Sequence, residues 1–379
     1  MDCLLSILKA LRLGTCLTFF NPNPVEQLPS TSSFKKEFGG KMVRNGWNHV
    51  ASLFTQQGNK GINQDGMVII EDFGSRPDTI FCGVFDGHGP SGHLIARKVR
   101  DILPSKLNSH WEVIDHAKES NANRVEEHEI FRILKESFLK AFEATDKELK
   151  FCPNIDCFNS GTTAVTLVKQ GQYLVIGNIG DSRAILGRRD DNNYLDAIQL
   201  SVDLKPNLPR ELKRIKQCKG RVFSLQNEPM MARVWMPQDD YPGLAMSRAF
   251  GDFCLKKYGL ISVPEVHFRC LSQGDEFIVL ATDGIWDVLS NKEVVNVVGL
   301  CHTRCSAAHS VVEKAKRVWK YKYPTSKMDD CTVVCLFLNT TLPHNISSYA
   351  GKTCNGNSNP SSMIETSEVS TYCCQEDHE

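Results

Sequence analysis

The chain has no surplus of either charge. Its 379 residues carry 44 Lys and Arg against 44 Asp and Glu, so nothing in the overall balance favours a nucleic-acid partner, and none is expected. It lacks an uninterrupted apolar run long enough to cross a bilayer. At the N-terminus Leu4, Leu5, Ile7, Leu8, Leu11 and Leu13 are broken by Lys9 and Arg12, with no basic start and no small-residue cleavage site. A secretory signal is therefore not expected. Asp2 excludes the Met-Gly start that myristoylation needs, which leaves acylation of Cys3 or Cys16 as the one route to a membrane. Fifteen cysteines are scattered without zinc-finger spacing, and no histidines stand in step with them. They read as reduced thiols of an intracellular protein of the cytoplasm or nucleus. No internal repeat of solenoid length is present. Few strand–helix alternations occur, which argues against a parallel sheet and for antiparallel sheets covered by helices.

An apolar content of 41% is ample for a buried core. The ends are poor in pattern. Residues 1–45, with Pro22, Pro24, Pro29 and a Ser-Thr run, read as a flexible arm, and residues 341–379, rich in Ser, Asn and Thr, as a disordered tail. Between them, 46–340 reads as one domain. Strands are expected at Val50–Phe54, Met67–Ile70, Ile80–Phe85, Ser160–Val168, Tyr173–Ile176, Phe277–Thr282 and Thr332–Leu338. Helical spacing predicts helices at 93–101, 124–150, 209–218, 292–300 and 306–321, with a polar linker at 104–125 and a mobile flap at 221–240.

The informative stretch is Val84-Phe85-Asp86-Gly87-His88-Gly89. An apolar strand ends on a carboxylate, and the following glycine lets a ligand approach the backbone. Asp-Gly after an apolar run is also a common hairpin signal. A second copy, Ala281-Thr282-Asp283-Gly284, changes the balance, and Asp330 stands beside another strand. Asp181 follows Gly180 in a similar context, and Asp65 sits in a polar turn. Gathered carboxylates repel one another. Bound hard cations relieve that repulsion, and oxygen-only ligands select Mg²⁺ or Mn²⁺. Two such ions stand roughly 3.5–4 Å apart, which suits a bridging hydroxide able to attack phosphorus. His88 is placed either to protonate a leaving alkoxide or to tune a ligand from a turn.

Several stretches in order resemble the metal-dependent serine/threonine protein phosphatases of type 2C: Asn63-Gln64-Asp65-Gly66, Val84 to Gly89, Ser160 to Val165, Gly180-Asp181-Ser182-Arg183, Ser247 to Asp252, Ala281 to Asp287, and Asp330 to Val334. The Asn-Gln-Asp form resembles plant members. The resemblance implies an α+β fold, a four-layer α-β-β-α sandwich of two central antiparallel sheets flanked by helices. It implies two divalent ions and a weaker third. Asp86 would bridge two ions, Asp283 and Asp330 would complete one shell, and the Gly87 carbonyl would serve the other. Asp181, Asp283 and Asp287 match the weaker third position. Lys60 stands where many relatives carry a phosphate-gripping arginine, and supplies the charge without the bidentate fork. Gln64 replaces a frequent glutamate, and Asp65 would hold metal-bound water. Arg183 and Arg248 are expected to pair with buried acids, Asp252 to serve a turn or to support a site residue from behind, Trp286 to lie in the core, and the basic helix at 209–218 to present a solvated face. The implied activity is one-step hydrolysis of phosphoserine and phosphothreonine in phosphoprotein substrates by a monomer. The rival is a phosphatase-fold protein that has lost turnover and docks a partner such as a kinase.

Overall fold

Strand alternation determines how the layers stack. In Thr79–Phe85, all seven residues are buried, because the strand is covered on both faces. Ile80, Cys82 and Val84 turn one way, into a core shared with Val165, Leu186, Ile278, Leu280 and Val334. Phe81 and Phe85 turn the other way, into a core with Ile95, Val99, Leu103, Phe138 and Phe142. The period of two thus assigns one set of side chains to the space between two sheets and the other to the space beneath helices. Asp275–Ala281 repeats the division: Ile278 and Leu280 face the inter-sheet core, while Phe277, Val279 and Ala281 pack with Val294, Val311 and Trp319.

The computed structural model describes residues 41–116 and 127–338. The first sheet has six strands in the order Lys41–Val43, Gly66–Glu71, Thr79–Phe85, Ala164–Gln170, Tyr173–Ile179 and Glu265–Cys270. The second runs Leu195–Gln199, Arg183–Arg189, Asp275–Ala281, Cys331–Phe337, Ala51–Gln56 and Gly46–Trp47. Every pairing within them is antiparallel. Helices Gly92–His116 and Glu127–Lys150 cover the first sheet, and Asn291–Gly299 and Ala307–Lys322 the second, which is the expected four-layer α+β sandwich. Lys41–Val43, inside the stretch expected to be an arm, pairs with Ile69–Glu71. Residues 1–40 and 339–379, including the acylation expectation at Cys3 and Cys16, lie outside the described residues.

One expectation is corrected. The linker expected from residue 104 is helical as far as His116, with Pro104 inside the helix. An interior proline costs about 3 kcal/mol. Leu103, Leu107 and Trp111 are all buried on one face, and each contributes about 1.5–3 kcal/mol, so packing outweighs the break. The segment expected to be a flap carries strands the sequence did not show: it forms a three-stranded sheet, Arg221–Ser224, Ala232–Trp235 and Pro242–Leu244, with Trp235 stacked on Phe223 at 4.9 Å. Its strands are too short for a clear alternation in sequence. No disulfide joins any two of the ten described cysteines. No helix among the described residues is long and apolar enough to cross a membrane.

Candidate active site

Strand register brings the acids to one end of both sheets. Gly66 pairs with Phe85, so Asp65 and Asp86 leave adjacent strands side by side. Arg183 pairs with Ala281, and Ala281 with Val333. Asp181, Asp283 and the Asp329–Asp330 pair therefore emerge from three neighbouring strands of the other sheet. The Asp86 backbone is pinned across the first sheet: its N–H donates to Thr163 Oγ1 at 3.0 Å, and its carbonyl accepts from Thr163 N–H at 2.9 Å and Thr162 Oγ1 at 3.0 Å.

Glycine is required at two of these turns. A Cβ on Gly87 would lie 2.4 Å from the Gly92 carbonyl oxygen and 2.6 Å from that of Gln64. A Cβ on Gly284 would lie 1.9 Å from the Asp330 carbonyl oxygen. The short helix Asp283–Trp286 starts after Thr282 with Asp283 in its first turn. The Asp287 N–H donates to the Asp283 carbonyl at 2.8 Å, so the two acids share one side of that turn.

The acids raise one another. Burial, then the charges of Asp283, Asp65, Asp329 and Asp181, hold Asp86 well above the usual carboxylate range. Burial and the charges of Asp181, Asp287 and Asp329 do the same to Asp283. Burial pushes Asp65 up to about 7, against hydrogen bonds from Thr332 and Thr282. Such a set favours a bound hard cation. Asp181 Oδ1 and Asp283 Oδ1 are buried without a hydrogen-bond partner among the described residues, as free ligand oxygens would be. Among the described residues, no three acidic, histidine or cysteine side chains stand together closely enough to hold a metal ion as they are placed. Two lysines engage members of the set instead: Lys60 Nζ binds Asp329 Oδ2, and Lys205 Nζ binds Asp181 Oδ2. Burial alone would lower the Lys205 ammonium, but Asp181 outweighs it and the net shift is upward.

Asp329 and Asp330 divide their work otherwise than expected. Both oxygens of Asp330 are taken by backbone donors, Gly58 N–H at 2.7 Å and Gln64 N–H at 2.8 Å. Asp330 therefore ties down the turn between Ala51–Gln56 and Gly66–Glu71. Asp329 is the neighbour whose charge reaches Asp86, Asp283 and Asp287. In a tandem of acids before a strand, only the path of the backbone decides which one turns inward. The Gln64 side chain donates to the Gly89 carbonyl at 2.9 Å, bracing the turn after Asp86.

His88 sits in a small sheet of Gly87–His88, Gly161–Thr162 and Phe250–Gly251. Its Nε2 is 2.6 Å from Asp252 Oδ2. Burial would lower the imidazole, but the Asp252 charge and hydrogen bond outweigh it and raise the group above its ordinary value. Asp252, expected in a turn or behind a site residue, starts a short helical turn and holds this histidine. Arg183 binds Asp203 through Nε at 2.9 Å and Nη2 at 2.6 Å. Arg248 binds Glu211, a buried acid on the otherwise basic helix Pro209–Gln217. The Trp286 indole is buried and donates to the Ala281 carbonyl at 2.7 Å. Neither Lys205 nor Glu211 carried a sequence signal beyond its charge.

A two-sheet sandwich with a cleft of carboxylates at its strand ends has the fold and site of a metal-dependent phosphatase. The family Protein phosphatase 2C matches residues 51–320. "Probable protein phosphatase 2C 33" of Arabidopsis thaliana is 55% identical over 349 residues, covering 81% of this chain and 71% of that protein. "Probable protein phosphatase 2C 75" of Oryza sativa subsp. japonica is 54% identical over 358 residues, covering 86% and 83%. The crystal structure of a serine-threonine phosphatase 2C from Toxoplasma gondii superposes with a TM-score of 0.71 at 26% identity, covering 78% of this chain and 98% of that one. The chain belongs to the protein phosphatase 2C family of metal-dependent phosphoprotein phosphatases, in its plant type.

Proposed function

We propose that this chain hydrolyses phosphoserine and phosphothreonine in proteins, in one step without a phosphoenzyme, where the two sheets end in acids. The observation that carries the reading is that Asp86, Asp181, Asp283 and Asp329 stand at neighbouring strand ends and their charges act on one another, with two buried carboxylate oxygens free of protein partners among the described residues. Asp86, Asp283, Asp329 and the Gly87 carbonyl would hold two ions of Mg²⁺ or Mn²⁺, and Asp181, Asp283 and Asp287 a weaker third. When bound, these ions supply a water nucleophile at neutral pH and neutralise phosphoryl charge. Asp65 and Asp330 act one layer out, on the threonines and backbone that hold the ligands. Lys60, more than half exposed, brings a single positive charge to the phosphate. His88 donates a proton to the departing serine or threonine oxygen. All these residues come from one chain, so a monomer suffices. The binding-only rival would require loss of a ligand acid, and Asp86, Asp283 and Asp329 are all in place.

The test is phosphate release from a phosphothreonine peptide by the full chain with Mg²⁺, with Mn²⁺ and with chelator. Release is expected with either metal, none with chelator, and none from a folded Asp283→Asn variant. A folded wild-type protein silent at millimolar metal would return the binding-only reading.

A further inference from the structure

One buried acid of this region stands outside the carboxylate cluster. Asp252 is 2% exposed, and its backbone lies in the left-handed region at φ 48°, a conformation uncommon outside glycine that aspartate tolerates. Its N–H donates to the Ser160 carbonyl at 2.9 Å. Across the small sheet, His88 pairs with Gly161 and Gly161 with Gly251. The His88–Asp252 contact passes directly over Gly161: a Cβ there would lie 2.1 Å from Asp252 Oδ2 and 2.8 Å from His88 Nε2. Behind the turn, Asp146 accepts from Gly251 N–H at 3.0 Å and from Lys256 Nζ at 2.8 Å. A glycine floor, a left-handed corner and a second acid thus all serve to set one carboxylate against one imidazole.

We propose that Asp252 is a positioning residue for hydrolysis, holding His88 so that Nδ1 is the nitrogen presented to the leaving oxygen. The proposal rests on the reading of His88 as general acid. A carboxylate only accepts, so the proton between Asp252 and His88 belongs to Nε2. Nδ1 makes no hydrogen bond among the described residues and is the ring nitrogen not committed to Asp252. As the bond from water oxygen to phosphorus forms and the bond from phosphorus to the serine or threonine oxygen breaks, the Nδ1 proton passes to the departing oxygen. The imidazolium becomes neutral imidazole and takes its next proton from solvent. Removing the orienting acid takes away what fixes the orientation and tautomer of the ring, the part an aspartate plays in hydrolytic triads.

The experiment compares Asp252→Ala, Asp252→Asn, His88→Ala and the His88→Ala/Asp252→Ala double variant of the full chain at saturating Mn²⁺. Substrates are a phosphothreonine peptide and p-nitrophenyl phosphate, whose aryl oxygen leaves without a proton. We expect Asp252→Ala to lower kcat on the peptide by about 10–100-fold and on the aryl ester by at most about threefold, with KM unchanged. Asp252→Asn, which keeps an acceptor oxygen, should recover part of the loss. The double variant should be no slower than His88→Ala, because both changes remove one function. Additive losses, or equal slowing of both substrates by Asp252→Ala, would overturn the positioning role while the general acid stands. Equal slowing of both substrates by His88→Ala would remove the general acid and this proposal with it. Should Asp252→Ala fail to fold, Asp252→Asn keeps the volume and carries the same comparison.

Discussion

Replacing Glu211 by Gln tests how the protein anchors its far wall. The Glu211 carboxylate is 2% exposed. It accepts from Arg248 Nε at 3.0 Å and Nη2 at 2.7 Å, from Arg214 Nη2 at 2.7 Å and from Ser247 Oγ at 2.6 Å. Burial alone would raise it, but the two guanidinium groups outweigh burial and bring it from 4.5 down to about 2. A carboxyl lowered on folding contributes stability above its unfolded value and loses it as pH falls toward the folded value. The drop corresponds to about 3 kcal/mol, fully present at pH 7 and lost between about pH 4.5 and pH 2. The amide would also leave Arg248, only 4% exposed along its side chain, without its counter-charge. Glu211→Gln should therefore cost about 3–5 kcal/mol at pH 7. In urea unfolding, the gap between wild type and variant should shrink by roughly 1.4 kcal/mol at pH 3.5, where the native carboxylate already begins to lose its advantage. The consequence reaches the active site. The Ser247 N–H donates to the Leu204 carbonyl at 2.8 Å and the Leu204 N–H to the Gly180 carbonyl at 2.9 Å, on either side of the Lys205–Asp181 pair. A gap under 1 kcal/mol at pH 7, or one that does not change with pH, would refute the reasoning.

Three further variants test the site. Asp329→Asn should abolish metal-supported phosphate release while leaving urea unfolding without metal unchanged or more stable, since one repelling charge is gone. Asp330→Ala should cost about 2 kcal/mol of stability, because the Gly58 and Gln64 N–H groups lose their acceptor; the reverse pattern would return Asp330 to the ligand set. Lys205→Met should lower stability without metal by about 2 kcal/mol, as Asp181 loses its partner. It should also enlarge the rise in Tm on adding Mg²⁺ beyond that of wild type, because the lysine no longer competes for Asp181; an unchanged rise would count against that competition.

Much of this protein is legible in its sequence because the decisive signals are local. Asp86 and Asp283 each close an apolar strand and precede a glycine, so strand, end and carboxylate are written within ten residues. The unbroken apolar run Ile80–Phe85 likewise fits a strand covered on both faces. What the sequence could not state is which distant groups meet. Asp329 and Asp330 are adjacent and chemically identical. Only the pairing of Cys331 with Gln56 brings the Gly58 and Gln64 donors to one of them and leaves the other to the cluster. His88 and Asp252 stand 164 positions apart and meet over a glycine in a sheet of two-residue strands, too short to show any pattern. Pro104 reads as a break until Leu107 and Trp111 find a core to enter. Hydrophobic period is set residue by residue along the chain. The partner of a charge is set by the register of strands far apart in sequence, and that register exists only once the two sheets have closed on their shared core.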